Sequence, residues 1–259
     1  MNRLTKSSST KTQWYDPISE VLGQAISEEF GYPSFAIRLM KVNPQKLSMA
    51  VMSDDVSDSY DGKIMQVSPD NLAKVESNKI LHMHLMDIVM LNKKREMNNF
   101  LLSGNSEGID FVPIDHGSVL QPFDEYSTTL EKTIEDCMTS FANRELQNRH
   151  GKGLAEHAKL VEYAESVLSD IKKIDSVSLG SRMKNTLNDI VNDVKLFDKS
   201  AMSESQNKEL DQLNEEIVNA MMRLEKIQRT EAKQLVDLLI QTKSPSDPAL
   251  SSLLGDFES

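Results

Sequence analysis

The stretch from Ile80 to Gly117 constrains this chain more than any other part of it. An apolar run, with Leu81, Leu85, Ile88, Val89 and Leu91 at helical spacing, ends at Asp87 to Leu91. Eight polar or flexible residues follow, from Asn92 to Asn99. Phe100-Leu101-Leu102 and Phe111-Val112-Pro113-Ile114 then read as two short strands joined by the turn-rich segment Ser103 to Gly108. Directly after the second strand stand Asp115, His116 and Gly117. A helix, a polar loop, and a hairpin closing on an acid place an amide (Asn99) and a carboxylate (Asp115) at neighbouring ends of one hairpin.

The remainder falls into place around this unit. Asp16-Pro17 opens a helix whose stripe is Val21, Leu22, Ala25, Ile26 and Phe30, and Gly31-Tyr32-Pro33 stops it. Ser34 to Ser53 carries two short strands around Asn43-Pro44, and Asp54 to Gly62 is an acidic loop. Residues 1 to 13 read as a strand remnant or a loose terminus. A second helical block begins after Ser68-Pro69-Asp70. From Tyr126 the pattern is helical throughout, with breaks expected at Gly151 to Gly153, Asp175 to Gly180 and Ser200 to Ser205, and the tail broken at Ser244 to Pro248. The last long helix carries Leu210, Leu213, Ile217, Ala220, Leu224 and Ile227, a stripe that packs onto its own domain or forms a self-association seam. The expectation is an α+β protein in three parts: residues 1–62, 63–200 and 201–259.

A formal net charge of -11 argues against general binding to nucleic acid or an anionic membrane. No run of about 18 apolar residues suits a membrane span, and Met1 to Lys11 has no apolar core of a secretory signal. A cytoplasmic protein, or an effector delivered without a cleavable signal, is expected. The single cysteine, Cys137, excludes an intrachain disulfide. His82 and His84, two apart on a helix, point to different sides, and His150 and His157 lack a third ligand, so no zinc motif stands out. No Gly-x-Ser-x-Gly elbow exposes a hydrolase nucleophile. The 14 methionines, Met83, Met86, Met90 and Met97 among them, read as adaptable core.

With Asp87, Asn92, Arg95, Asn99 and the phrase Pro113-Ile114-Asp115-His116-Gly117 in view, the segment resembles the catalytic half of HipA-like and phosphatidylinositol-4-kinase-like phosphotransferases. That resemblance implies a truncated kinase-like fold, ATP and magnesium as cofactors, and Asn99 and Asp115 as metal ligands. It also implies that Glu20, on a helix ending at a Gly-x-Pro, pairs with a strand lysine on the phosphates, for which Lys6 is the best placed. Lys94, Arg95 and Asp115 become the catalytic-loop positions. The family's Asp-Arg-His is Lys94-Arg95-Glu96 here, so the carboxylate that deprotonates the acceptor hydroxyl is missing. No glycine-rich phosphate loop precedes Lys6. The expected function is a kinase-like protein with a degenerate catalytic loop that binds a nucleotide or a partner. Alternatives are an active divergent phosphotransferase acting on a protein or lipid hydroxyl, with Arg95 bracing the loop, and a helical interaction protein using its C-terminal helices.

Overall fold

The structure, a computed structural model, describes residues 3–4, 14–33, 37–41, 49–53, 63–65, 67–93, 95–105, 108–120, 130–137, 140–150 and 154–241. Lys6, Lys94, the Asp54 to Gly62 loop and the Ser244 to Pro248 break lie outside the described residues, as does most of the N-terminal stretch.

Among the described residues, two three-stranded antiparallel sheets and a set of helices make the fold α+β. The first sheet has the order β1 (Arg3–Leu4), β3 (Met49–Ser53), β2 (Ile37–Lys41), with Ile37 opposite Ser53 and Lys41 opposite Met49. The second has β4 (Lys63–Met65), β5 (Phe100–Asn105), β6 (Gly108–Pro113). Phe100 faces Pro113 and Asn105 faces Gly108, so most of the expected turn segment is strand. β4 was not anticipated. Its three residues are too few to show an alternation, and it exists because β5 offers a free edge.

α1 (Tyr15–Glu29) starts with Pro17 in its first turn and buries Ile18, Leu22, Ala25 and Ile26. Gly31, at φ +80°, ends it. The Gly31 N–H reaches the Glu28 carbonyl and the Tyr32 N–H the Ser27 carbonyl, the paired closure that a left-handed residue permits. After the short α2 (Pro69–Leu72), capped by the Ser68 hydroxyl, α3 (Ser77–Met90) runs through the centre. Every residue from Ile80 to Leu91 except His82 is buried, with Met83, Met86 and Met90 fully inside, whereas Met97 is exposed.

α3 packs on α5 (Phe141–His150), α6 (Leu154–Ile171) and α8 (Glu204–Arg229); α4 (Leu130–Asp136) packs on α8 and on α9 (Ala232–Gln241), which lies against α6, and α7 (Ser176–Asn192) joins α1 to α8. The expected break at Gly151 to Gly153 lies outside the described residues. The other two breaks are present but begin earlier than expected. Gly180 lies inside α7, because Asp175 caps that helix through the Val177 and Ser178 N–H groups and starts it earlier. The chain leaves α7 at Asp193, before Ser200, and α8 starts at Glu204 behind its N-cap Ser203, which closes a capping box with Gln206. The last helix is also two, parted at Thr230. Its stripe packs inward: Leu213, Ile217, Ala220, Leu224 and Ile227 are buried in the main core, with Leu210 against them. No helix among the described residues is long and apolar enough to cross a membrane.

Candidate functional site

α3 ends where the loop chemistry begins. Leu91 adopts a left-handed conformation (φ 54°), the Leu91 N–H bonds to the Ile88 carbonyl, and the Asn92 N–H bonds to Asp87 at 2.8 Å. This is the closure usually given to glycine. It turns the chain so that Asn92 and Arg95 come back onto Asp87. The Asp87 carboxylate, wholly buried, accepts from Arg95 Nη2 at 2.8 Å, from Arg95 Nε at 3.1 and 3.3 Å, and from Asn92 Nδ2 at 3.1 Å. Burial pushes the Asp87 carboxyl up, and the guanidinium and the amide pull against it.

The other edge of the same guanidinium fixes the hairpin. Arg95 Nη1 donates to the Asn99 carbonyl at 2.7 Å and to the Ile114 carbonyl at 3.2 Å, while the Ile114 N–H bonds to the Asn99 carbonyl at 3.0 Å. One buried side chain thereby joins the C-terminal turn of α3, the end of the polar loop and the exit of β6. Asn99 and Asp115 stand on the two sides of that junction, both half-buried. Asp115 itself is left-handed at φ 59°. The loop is held from behind as well: the Phe141 N–H at the start of α5 bonds to the Arg95 carbonyl at 3.1 Å, and Cys137 Sγ contacts the Asp87 carbonyl at 3.9 Å.

Glu20, on α1, faces the turn after Asp115. Its carboxylate accepts from the backbone N–H groups of His116 and Gly117 and lies within the electrostatic reach of Asp115 and Arg95. Burial, and then the nearby Asp115 charge, push its pKa up to about 7. The helix comes this close because residue 23 has no side chain: a Cβ there would stand 2.5 Å from His116 Cβ and 2.9 Å from Val119. His116 is fully buried, and among the described residues neither ring nitrogen has a hydrogen-bond partner. Burial and the Arg95 charge drive its pKa well below the usual imidazole range.

Of the residues singled out from sequence, the structure gathers Asp87, Asn92, Arg95 and the backbones of Asn99 and Ile114 into one network, and brings Glu20 onto the Asp115–Gly117 turn. The expected lysine partner of Glu20, Lys6, and the catalytic-loop position Lys94 lie outside the described residues. Among the described residues no three His, Cys, Asp or Glu side chains cluster as a metal-holding group. A divalent ion here would rest on the Asn99 amide, the Asp115 carboxylate and oxygens of its own ligand or water. His82 and His84 do diverge: His82 Nδ1 meets the Tyr32 hydroxyl at 3.0 Å, and His84 Nδ1 meets Ser140 Oγ at 2.9 Å deep in the core. His157 pairs with Asp237.

Sequence reasoning missed Arg223, whose Nε donates to the Val89 carbonyl at 3.0 Å and whose Nη2 faces Glu216 at 3.4 Å. The available signal was its spacing. Glu216 and Arg223, seven apart, flank the apolar stripe of α8 on its buried side.

No family model matches the chain, and no curated protein matches it. Among solved structures, the chain is similar to one from the Shewanella oneidensis MR-1 toxin–antitoxin system HipA, HipB and its operator DNA. The identity is 9% and the TM-score 0.42, over 89% of this chain and 60% of that one. The chain therefore spans less than two thirds of the length of the structure it matches.

Proposed function

We propose that the chain is a kinase-like protein that binds a magnesium–nucleotide complex at the Asn99–Asp115 end of the β5–β6 hairpin and has lost standard phosphoryl transfer. The observation that carries this reading is the Arg95 bracket, which holds the Asn99 and Ile114 carbonyls with one guanidinium nitrogen and so ties the backbone of Asn99 to that of the residue just before Asp115. The donor set fits the ion: amide and carboxylate oxygens suit magnesium, which keeps much of its water and takes the rest of its ligands from phosphates. Glu20 adds a second carboxylate near Asp115, and a cation would relieve their repulsion. Magnesium, when bound, would neutralise phosphate charge. Asn99 and Asp115 would hold it, Arg95 would fix their spacing, and Glu20 would hold the backbone of the Asp115–Gly117 turn. Lys94 stands where the resemblance calls for the carboxylate that accepts the hydroxyl proton, so nucleotide binding and transfer separate in this chain.

Thermal unfolding with ATP and magnesium, together and singly, tests the proposal. Stabilisation by the pair that disappears in Asp115→Ala supports it. No shift with any nucleotide overturns it in favour of a helical interaction protein. Radiolabelled phosphate appearing on the protein or on lysate proteins would replace it with the active phosphotransferase reading.

A further inference from the structure

α1, α3 and β6 each have a second end. The ends carrying Glu20, Asp87 and Ile114 meet at the candidate site. The opposite ends, roughly 12 to 15 Å away by the rise of helix and strand, line an open cavity of about 530 Å³ together with the C-terminal end of α6. Its size falls in the range of small-molecule sites.

The walls are fixed in advance. His82 lies between the rings of Phe30 and Tyr32, at 5.5 and 5.3 Å, and its Nδ1 meets the Tyr32 hydroxyl. Gln24 Nε2 donates to the Pro33 carbonyl at 3.0 Å, which holds the turn that forms the rim. Arg182 of α7 clamps Glu28, Glu29 and the Ala25 carbonyl at the end of α1. Phe111 and Val167 supply apolar floor.

Two ion pairs line it: Lys79–Asp110 at 3.0 Å, joining α3 to β6, and the exposed Lys173–Asp170 at 2.6 Å, where α6 runs into the turn after it. With Glu29, the lining has three carboxylates against two ammonium groups, which disfavours a polyanion such as a nucleotide. A ligand carrying one charge of each sign can bridge the two pairs, its ammonium toward the aspartates and its carboxylate toward the lysines. Its body would then lie over an apolar floor.

We propose that this cavity is a second ligand site that takes a small zwitterion with an apolar side chain, a free apolar amino acid or dipeptide, held between the Lys79–Asp110 and Lys173–Asp170 pairs. The assignment is independent of nucleotide binding at Asp115.

Isothermal titration calorimetry on the full chain tests it, with leucine, phenylalanine and leucyl-leucine as probes and N-acetyl-leucine amide as the uncharged control. The expected result is saturable binding of at least one zwitterion, weakened about tenfold or more in the control. Ser166→Trp, at an exposed position on the α6 wall, fills the cavity and abolishes binding while leaving the unfolding midpoint unchanged. Lys173→Ala, equally exposed, weakens it about tenfold. Absence of heat with every amino acid and dipeptide, equal affinity for the acetylated amide, or binding untouched by both substitutions would overturn the assignment.

Discussion

Arg95 and Asp87 hold each other with both side chains fully buried, and the guanidinium edge not used by the carboxylate is spent on two carbonyls from different segments. Removing one partner leaves an uncompensated charge in the core, so Asp87→Ala or Arg95→Met is expected to cost about 3 to 5 kcal/mol. Arg95→Lys should recover little of it, because an ammonium cannot reproduce the planar fork that reaches Asp87, Asn99 and Ile114 together. Chemical denaturation measures both. A loss under about 1 kcal/mol in Arg95→Met would mean that the bracket does not fix the loop.

Gly23→Ala tests the close approach of α1 to the turn after Asp115. Its methyl group would collide with the His116 Cβ, and overpacking of this kind costs about 1 to 3 kcal/mol. Since Glu20 rides on the same helix, the variant should also lose most of any stabilisation by magnesium and nucleotide. Unfolding curves with and without the ligands separate the two effects.

The acid limb of the stability profile should be steep. Burial holds the His84 pKa down at about 3 against an ordinary 6.5, so the unfolded chain takes up a proton below about pH 6.5 that the folded chain refuses. Stability therefore falls as the pH drops through that window, by up to about 1.4 kcal/mol per unit for each such group. Burial pushes His82 and His116 the same way. Glu20 acts in the opposite sense. Its folded pKa is raised to about 7 from 4.5, which takes stability away as the pH rises through that interval and flattens the upper part of the slope. Denaturation midpoints measured from neutral pH to about pH 5 should fall, and fall less in His84→Gln, whose amide can keep the bond to Ser140. An unchanged slope in that variant would show that His84 is not the source.

Lys94→Asp restores the residue type that the family resemblance calls for at that position. If the rest of the machinery is intact, phosphate incorporation from ATP should rise on the order of a hundredfold, the usual contribution of a positioned base. Radiolabel transfer to the protein and to lysate proteins reads it directly. No gain in a variant that still responds to magnesium and nucleotide would place the defect beyond residue 94.

The sequence made the helix–loop–hairpin unit legible because each of its parts carries its own local signal. The apolar run of α3 has helical period and the strand residues are aromatic or branched, while Asp87, Asn92 and Arg95 were legible through the family resemblance. The left-handed Leu91 carried no such signal, since tertiary packing and not glycine sets its conformation. The same holds for β4, which depends on the edge of β5, and for Gly180, which reads as a breaker yet lets Met221 of α8 approach to within 3.0 Å of where its Cβ would stand. Glu20 was legible only through the family resemblance, as a helix glutamate paired with a strand lysine. Its backbone partners at residues 116 and 117 were not, because they depend on how closely α1 and the turn meet at Gly23.

Arg223 has a practical consequence for anyone trimming the chain. Its guanidinium, contributed by α8, is bonded to the Val89 carbonyl in the last turn of α3. Cutting ahead of Glu204 would strip the central helix of that cover and expose the apolar floor on which Leu213, Ile217 and Leu224 rest. A shortened protein ending there should precipitate or open its core, so the two final helices belong inside any expressible boundary.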